Sequence, residues 1–138
     1  MAQDENVDSF ERRRRQRFVA KRRGEYCFWA ILDGARVPLV DLSLEGFSIP
    51  ASSPLASDRN HDFVLQRADV PDEIRGRAKV VNYIGAPGGG QAGCVFDSLE
   101  GDGKARLEEW LTAHVLANAS VPINEKEAGH IVSGPSLV

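Results

Sequence analysis

Residues 12–17 read RRRRQR, five arginines in six positions. Each guanidinium offers five N–H donors in a planar fork. It can grip a phosphate, bond guanine O6 and N7 together, or stack on a base. Arg12, Arg13 and Arg17 are the arginines of this block whose spacing matters below. An arginine arm alone is unselective. Selectivity for guanine needs a fixed acceptor for its N1–H and N2 amine. The stretch DLSLEG at 41–46 offers one in Asp41, with a hydroxyl at Ser43 and a glycine at Gly46 where backbone can turn or approach a ligand. Taken alone, it reads better as an ordinary turn that ends a strand.

Other candidate chemistry is weaker. His61, His114 and His130 share no metal-ligand spacing with one another or with Cys27 and Cys94, and His114 reads as a structural histidine. Asp97 and Glu100 read as a solvated turn before a helix. Ser43 has no histidine at a recognisable motif spacing. The run Gly88-Gly89-Gly90 is followed by no Lys-Ser/Thr pair, so it is no phosphate-cradling loop. The reading is a non-enzyme with no catalytic residues, no metal and no cofactor.

Elements must hold the arginines and the carboxylate together. The 138 residues suit one domain, and the 42% hydrophobic and 27% charged fractions are ordinary for a globular chain. Residues 12–23 carry eight of the seventeen basic residues and no acid, while the net charge is −3. The remainder is therefore acidic, and the basic arm is a field source aimed at an anion. No apolar run is long enough for a membrane span. The polar, acidic opening MAQDENVDSF is not a signal peptide, and two unpaired cysteines in apolar stretches suit a reducing compartment, so the expectation is a cytoplasmic protein.

EYCFWAIL at 25–32 reads as a strand, Asp33-Gly34 as a hairpin turn, and 35–42 as a return strand with an awkward Pro38. A turn at 45–46 leads into a third strand. Residues 50–60 read as loop, 61–68 and 74–85 as strands, 86–91 as loop, and AGCVFDSL as a last strand. Leu107, Trp110, Leu111 and Val115 then fall at helical spacing, with Asp102 as N-cap candidate. The expected organisation is a flexible basic arm (1–24), a barrel with a terminal helix (25–117), and a poorly ordered tail (118–138).

Two of these stretches together resemble the PilZ family of bacterial cyclic di-GMP receptors. That family carries RxxxR before its first strand and (D/N)xSxxG at the turn after its second. Arg13 and Arg17 match the first motif; Asp41, Ser43 and Gly46 match the second. RGRAKVVNYIG and AGCVFDSL look like the family's late strands, and the resemblance runs to about residue 117. It implies an all-β fold with a terminal helix, a six-stranded antiparallel barrel closed by a C-terminal α-helix. It implies a receptor that holds cyclic di-GMP between arm and barrel and signals by a conformational change to an unidentified downstream protein. Arg13 and Arg17 would hold guanine edges and phosphates. Asp41 would bond a guanine Watson–Crick edge, and Ser43 and Gly46 would shape the site. Arg12, just before the motif, goes with two intercalated ligand molecules in similar receptors. The rival reading is a nucleic-acid-binding barrel with a basic arm. It needs exposed aromatics beside the arm, whereas Tyr26, Phe28 and Trp29 could all be core and the acidic remainder repels a polyanion. Nucleic acid is therefore not the expected partner.

Overall fold

A computed structural model describes residues 15–51 and 59–134. Among the described residues, ten strands precede two helices: β1 (Phe18–Val19), β2 (Lys21–Arg22), β3 (Glu25–Tyr26), β4 (Phe28–Leu32), β5 (Ala35–Pro38), β6 (Asp41–Leu42), β7 (Gly46–Ala51), β8 (Asn60–Arg67), β9 (Val70–Ile84), β10 (Gly90–Leu99), α1 (Gly103–Asn118) and α2 (Glu125–Ser133). Eight strands form one antiparallel sheet in the order β1-β6-β7-β10-β9-β8-β4-β5, and β2 pairs with β3 separately. The sheet curls as a half-barrel with the C-terminal helices over it.

The expected six strands and closed ladder are not what is observed. One reason is Pro38, which has no N–H to donate and divides 35–42 into β5 and β6. Between them Leu39 N donates to Phe28 O at 3.0 Å and Val40 N to Ser48 O at 2.7 Å, so this short segment passes from the β4 end of the sheet to the β7 end. The other reason is β1, which the arm adds beside β6. The Asp33-Gly34 hairpin is as expected: both residues have positive φ (50° and 89°), the conformation a two-residue turn needs. The break expected at 69–73 is a tight turn at Ala68 and Asp69, and β9 runs on through Pro71.

The core is continuous. Phe28, Leu39, Leu42, Leu65 and Ile74 from the sheet meet Leu107, Trp110 and Leu111 from α1. Phe47, Phe63 and Phe96 cluster with ring centroids 5.4–5.9 Å apart. Asp102 stands at the N-cap of α1 without a capping bond; its carboxylate accepts instead from Arg106 Nε at 2.8 Å. Arg106 also donates to Asp72 Oδ1 at 2.6 Å, and Trp110 Nε1 donates to Asp72 Oδ2 at 3.2 Å, tying α1 to the start of β9.

The tail departs from expectation over 125–133, where α2 forms. Asn124 and Glu127 make a reciprocal capping box: Glu127 N donates to Asn124 Oδ1 (2.8 Å) and Asn124 N to Glu127 Oε1 (3.0 Å). Ala128 and Val132, one turn apart, are fully buried. Two apolar positions at i and i+4 suffice to seat a nine-residue helix once α1 is there to receive it. Among the described residues, no helix is long and apolar enough to cross a membrane.

Candidate functional site: the 41–46 turn and the strand beside it

Ser43 is almost fully buried, and its hydroxyl is occupied by its own turn. Ser43 Oγ accepts from Glu45 N at 3.0 Å and from Gly46 N at 3.3 Å, while Ser43 N donates to Gly46 O at 2.9 Å. The serine hydroxyl therefore shapes the loop by taking two amides that would otherwise be unpaired. Gly46 lies where β7 meets β10. A Cβ built there would stand 1.9 Å from Cys94 O, so only glycine lets the two backbones approach. Ser43 and Gly46 thus hold the turn that Asp41 enters.

The arm reaches this turn through backbone pairing. In β1 and β6, Phe18 faces Leu42 and Val19 faces Asp41. Phe18 packs on the core and Leu42 is fully buried, so alternation turns Val19 and Asp41 to the opposite face. Arg17 is exposed and immediately precedes β1. Beyond Asp41 the row continues to Ser48, which pairs with Asp41, and Gly93, which pairs with Ser48. Both of these small residues are buried. Gly93 is hemmed in by Asn82, whose Oδ1 accepts from Gly93 N at 3.0 Å.

Two residues that sequence reasoning passed over position the arm. Arg15 N donates to Glu45 Oε1 at 3.0 Å, so a side chain of the 41–46 turn grips the arm's backbone. The Arg15 guanidinium donates to the carbonyl of Ser133, at the end of α2. Glu45 occupies an unspecified position of the motif, so nothing in the motif pointed to it. Arg12 and Arg13 lie outside the described residues. Asp41, Ser43 and Gly46 share one turn, and Arg17 immediately precedes the strand that pairs with Asp41 and Leu42. The arm is also anchored earlier than expected: Ala20 is fully buried, and its N–H donates to Val40 O at 3.1 Å. Residues 21–26, an unexplained basic extension in sequence, form a hairpin turning at Arg23 and Gly24, with φ of 55° and 82°. Tyr26 is exposed, with Lys21 Nζ 4.7 Å from its ring centroid, rather than part of the core.

Under that hairpin, His114 Nε2–H donates to Val19 O at 2.8 Å, leaving Nδ1 to accept from Asn118 at 3.2 Å, with Cys27 Sγ 3.8 Å away. Burial pushes the imidazole below its ordinary 6.5; the Val19 bond opposes this, and Arg67 and Arg22 add repulsion. The unfolded chain takes up this proton near pH 6.5, and the folded chain takes it up only at lower pH. Stability is therefore complete above about pH 6.5 and falls as pH drops toward the folded value. Thermal unfolding should show a midpoint that declines from about pH 7 to 5.5, with a shallower decline in His114→Gln; an unaltered slope in that variant would exclude His114. Burial also raises the Cys27 thiol, and Cys94 to about 11, so both stay protonated at neutral pH.

The curled antiparallel sheet has helices over it, and a short strand that follows the arginine block pairs with the strand that carries Asp41. A family model described as PilZ domain matches residues 11–113, from the arginine block into α1. The chain belongs to the PilZ domain family, whose members bind cyclic di-GMP and are typically non-enzymatic binding domains. Among solved structures, the chain is similar to the Bacillus subtilis inhibitor of motility, MotI/DgrA, with a TM-score of 0.60 and 12% identity. The likeness covers 75% of this chain and 51% of that one, so this chain spans about half that protein's length, and at this identity it speaks to fold alone. No curated protein sequence matches the chain.

Proposed function

We propose that this chain is a cyclic di-GMP receptor that binds the dinucleotide between Arg12, Arg13 and Arg17 of the arm and the turn formed by Asp41, Ser43 and Gly46. The observation that carries the reading is the pairing of Val19 with Asp41. It sets the strand that follows the arginine motif beside the strand that opens the 41–46 turn. Arg13 and Arg17 take phosphate oxygens and guanine edges, and Asp41 accepts from guanine N1–H and N2. Arg12 adds a stacking surface for a second ligand molecule. Ser43 and Gly46 act through the backbone, by holding the turn. Binding draws the arm onto the sheet, and a downstream protein in the cytoplasm reads that rearrangement. The nucleic-acid reading gains little: Tyr26 is the one exposed aromatic side chain among the described residues, and a base-stacking track needs several.

Titration calorimetry with cyclic di-GMP and cyclic di-AMP tests this reading. Adenine lacks the N1–H and N2 amine that Asp41 accepts, so a site built for guanine rejects it by leaving a polar group unpaired. The expected result is saturable binding of cyclic di-GMP and binding of cyclic di-AMP weaker by about a hundredfold or more. Equal affinity for the two would refute a guanine-reading site.

A further inference from the structure

We propose that the cavity beneath the β2–β3 hairpin is a separate anion site that takes a small phosphate-bearing molecule. The cavity is about 320 Å³, at the low end of the ~300–1,000 Å³ of small-molecule sites, and Arg22, Arg23 and Arg67 line it above Cys27, Phe28 and His114. None of Arg17, Asp41, Ser43 and Gly46 lines it.

The chain treats its arginines in two ways. Arg59, Arg75, Arg77 and Arg106 are ion-paired, Arg36 bonds Gln66 and lies over the Trp29 ring, and Arg15 holds Ser133. Arg22, Arg23 and Arg67 make no side-chain hydrogen bond or ion pair among the described residues, although Glu25 and Asp69 also border the cavity. Both of those acidic residues are exposed, and neither comes within 4.0 Å of these guanidinium groups. Three arginines against two carboxylates leave the lining net positive, and of the four described arginines without a side-chain hydrogen bond or ion pair (Arg17, Arg22, Arg23 and Arg67) three line this one cavity.

The lining is also built rather than incidental. Arg22 and Arg23 sit on a hairpin fixed by a two-residue turn, and Arg67 ends β8. Backbone bonds Cys27 N to Ala20 O (3.1 Å) and Ala68 N to Cys27 O (2.9 Å) lock hairpin and β8 together. The floor is dry: Phe28 is 1% exposed, and its ring packs edge-on against His114 at 5.1 Å. A low-dielectric floor strengthens attraction to an anion, and neither Cys27 nor His114 contributes a negative charge there. Several guanidinium forks around one small volume match the oxygens of a phosphate better than the two of a carboxylate.

Pyrophosphate is the probe, added to the full chain at constant ionic strength and followed by amide NMR shifts. Saturable shifts are expected at Cys27, Ala68 and Asp69. Arg67→Gln and Arg22→Gln should each raise the midpoint about tenfold or more, the loss of one charge-assisted contact. Arg22 is exposed on the hairpin, so its variant keeps the test valid if Arg67→Gln disturbs β8. Saturating cyclic di-GMP should leave the midpoint unchanged. Shifts that grow without saturation, or midpoints unmoved in both arginine variants, would overturn the site. A pyrophosphate midpoint raised by saturating cyclic di-GMP would also overturn it, because the cavity would then belong to the dinucleotide site. A chain that ignores cyclic di-GMP yet binds pyrophosphate in this pattern would refute the receptor reading and leave the cavity site standing.

Discussion

Gly46→Ala is expected to cost about 3 kcal/mol of folding stability, the upper part of the range for inserting a methyl group into a packed site. The added Cβ would lie 1.9 Å from Cys94 O, 2.9 Å from Cys94 C and 3.0 Å from Val95 Cα. All three are backbone atoms, so no flexible side chain can move aside. Relief requires β7 and β10 to part where Gly46 pairs with Val95 and Phe47 with Cys94. Phe47 would move with the strand, disturbing its contacts with Phe63 and Phe96. Gly46 is not in the left-handed region, so the penalty is contact rather than backbone conformation. Gly24→Ala makes the contrast: Gly24 has φ of 82° with open space around it, and its replacement should cost only about 1 kcal/mol. Urea unfolding of both variants checks this. A Gly46→Ala midpoint close to the unsubstituted chain's would mean that the turn tolerates a side chain, and the structural role assigned to this glycine would fail.

Much of the fold was legible because its signals are local. Asp33-Gly34 permits the positive φ of a hairpin, and Leu107, Trp110 and Leu111 repeat at helical spacing, so β4, β5 and α1 could be read from a few residues each. What was missed depends on partners distant in sequence. Val19 looks like one more residue of a charged arm until β6 is beside it. Ala128 and Val132 are too few to declare a helix until α1 supplies a surface, although the Asn124-to-Glu127 spacing was a visible start signal. Pro38 was recognised as awkward, but its effect, two short strands serving opposite ends of one sheet, depends on Phe28 and Ser48.

The candidate site was legible as residue types and only partly as roles. Ser43 was expected to shape and line the site; it is buried, and its hydroxyl is spent on its own turn. Glu45 gave no signal, because any residue satisfies its motif position, yet it holds Arg15 N. The unpaired state of Arg22, Arg23 and Arg67 was also invisible in sequence. A run of arginines does not reveal which will find carboxylates.

The most direct test of the receptor reading is titration of Asp41→Ala with cyclic di-GMP beside the unsubstituted chain. Removing this carboxylate makes the protein more positive. Attraction of a basic arm to an anion would then strengthen, because one repelling charge is gone. A site that reads guanine would instead lose its acceptor for N1–H and N2. The account predicts weaker binding by on the order of 3 kcal/mol, the upper range for hydrogen bonds to a charged group. Asp41 is partly exposed, so the fold should persist, and circular dichroism can verify that it does. Binding that is unchanged or tighter in a folded Asp41→Ala chain would contradict the account.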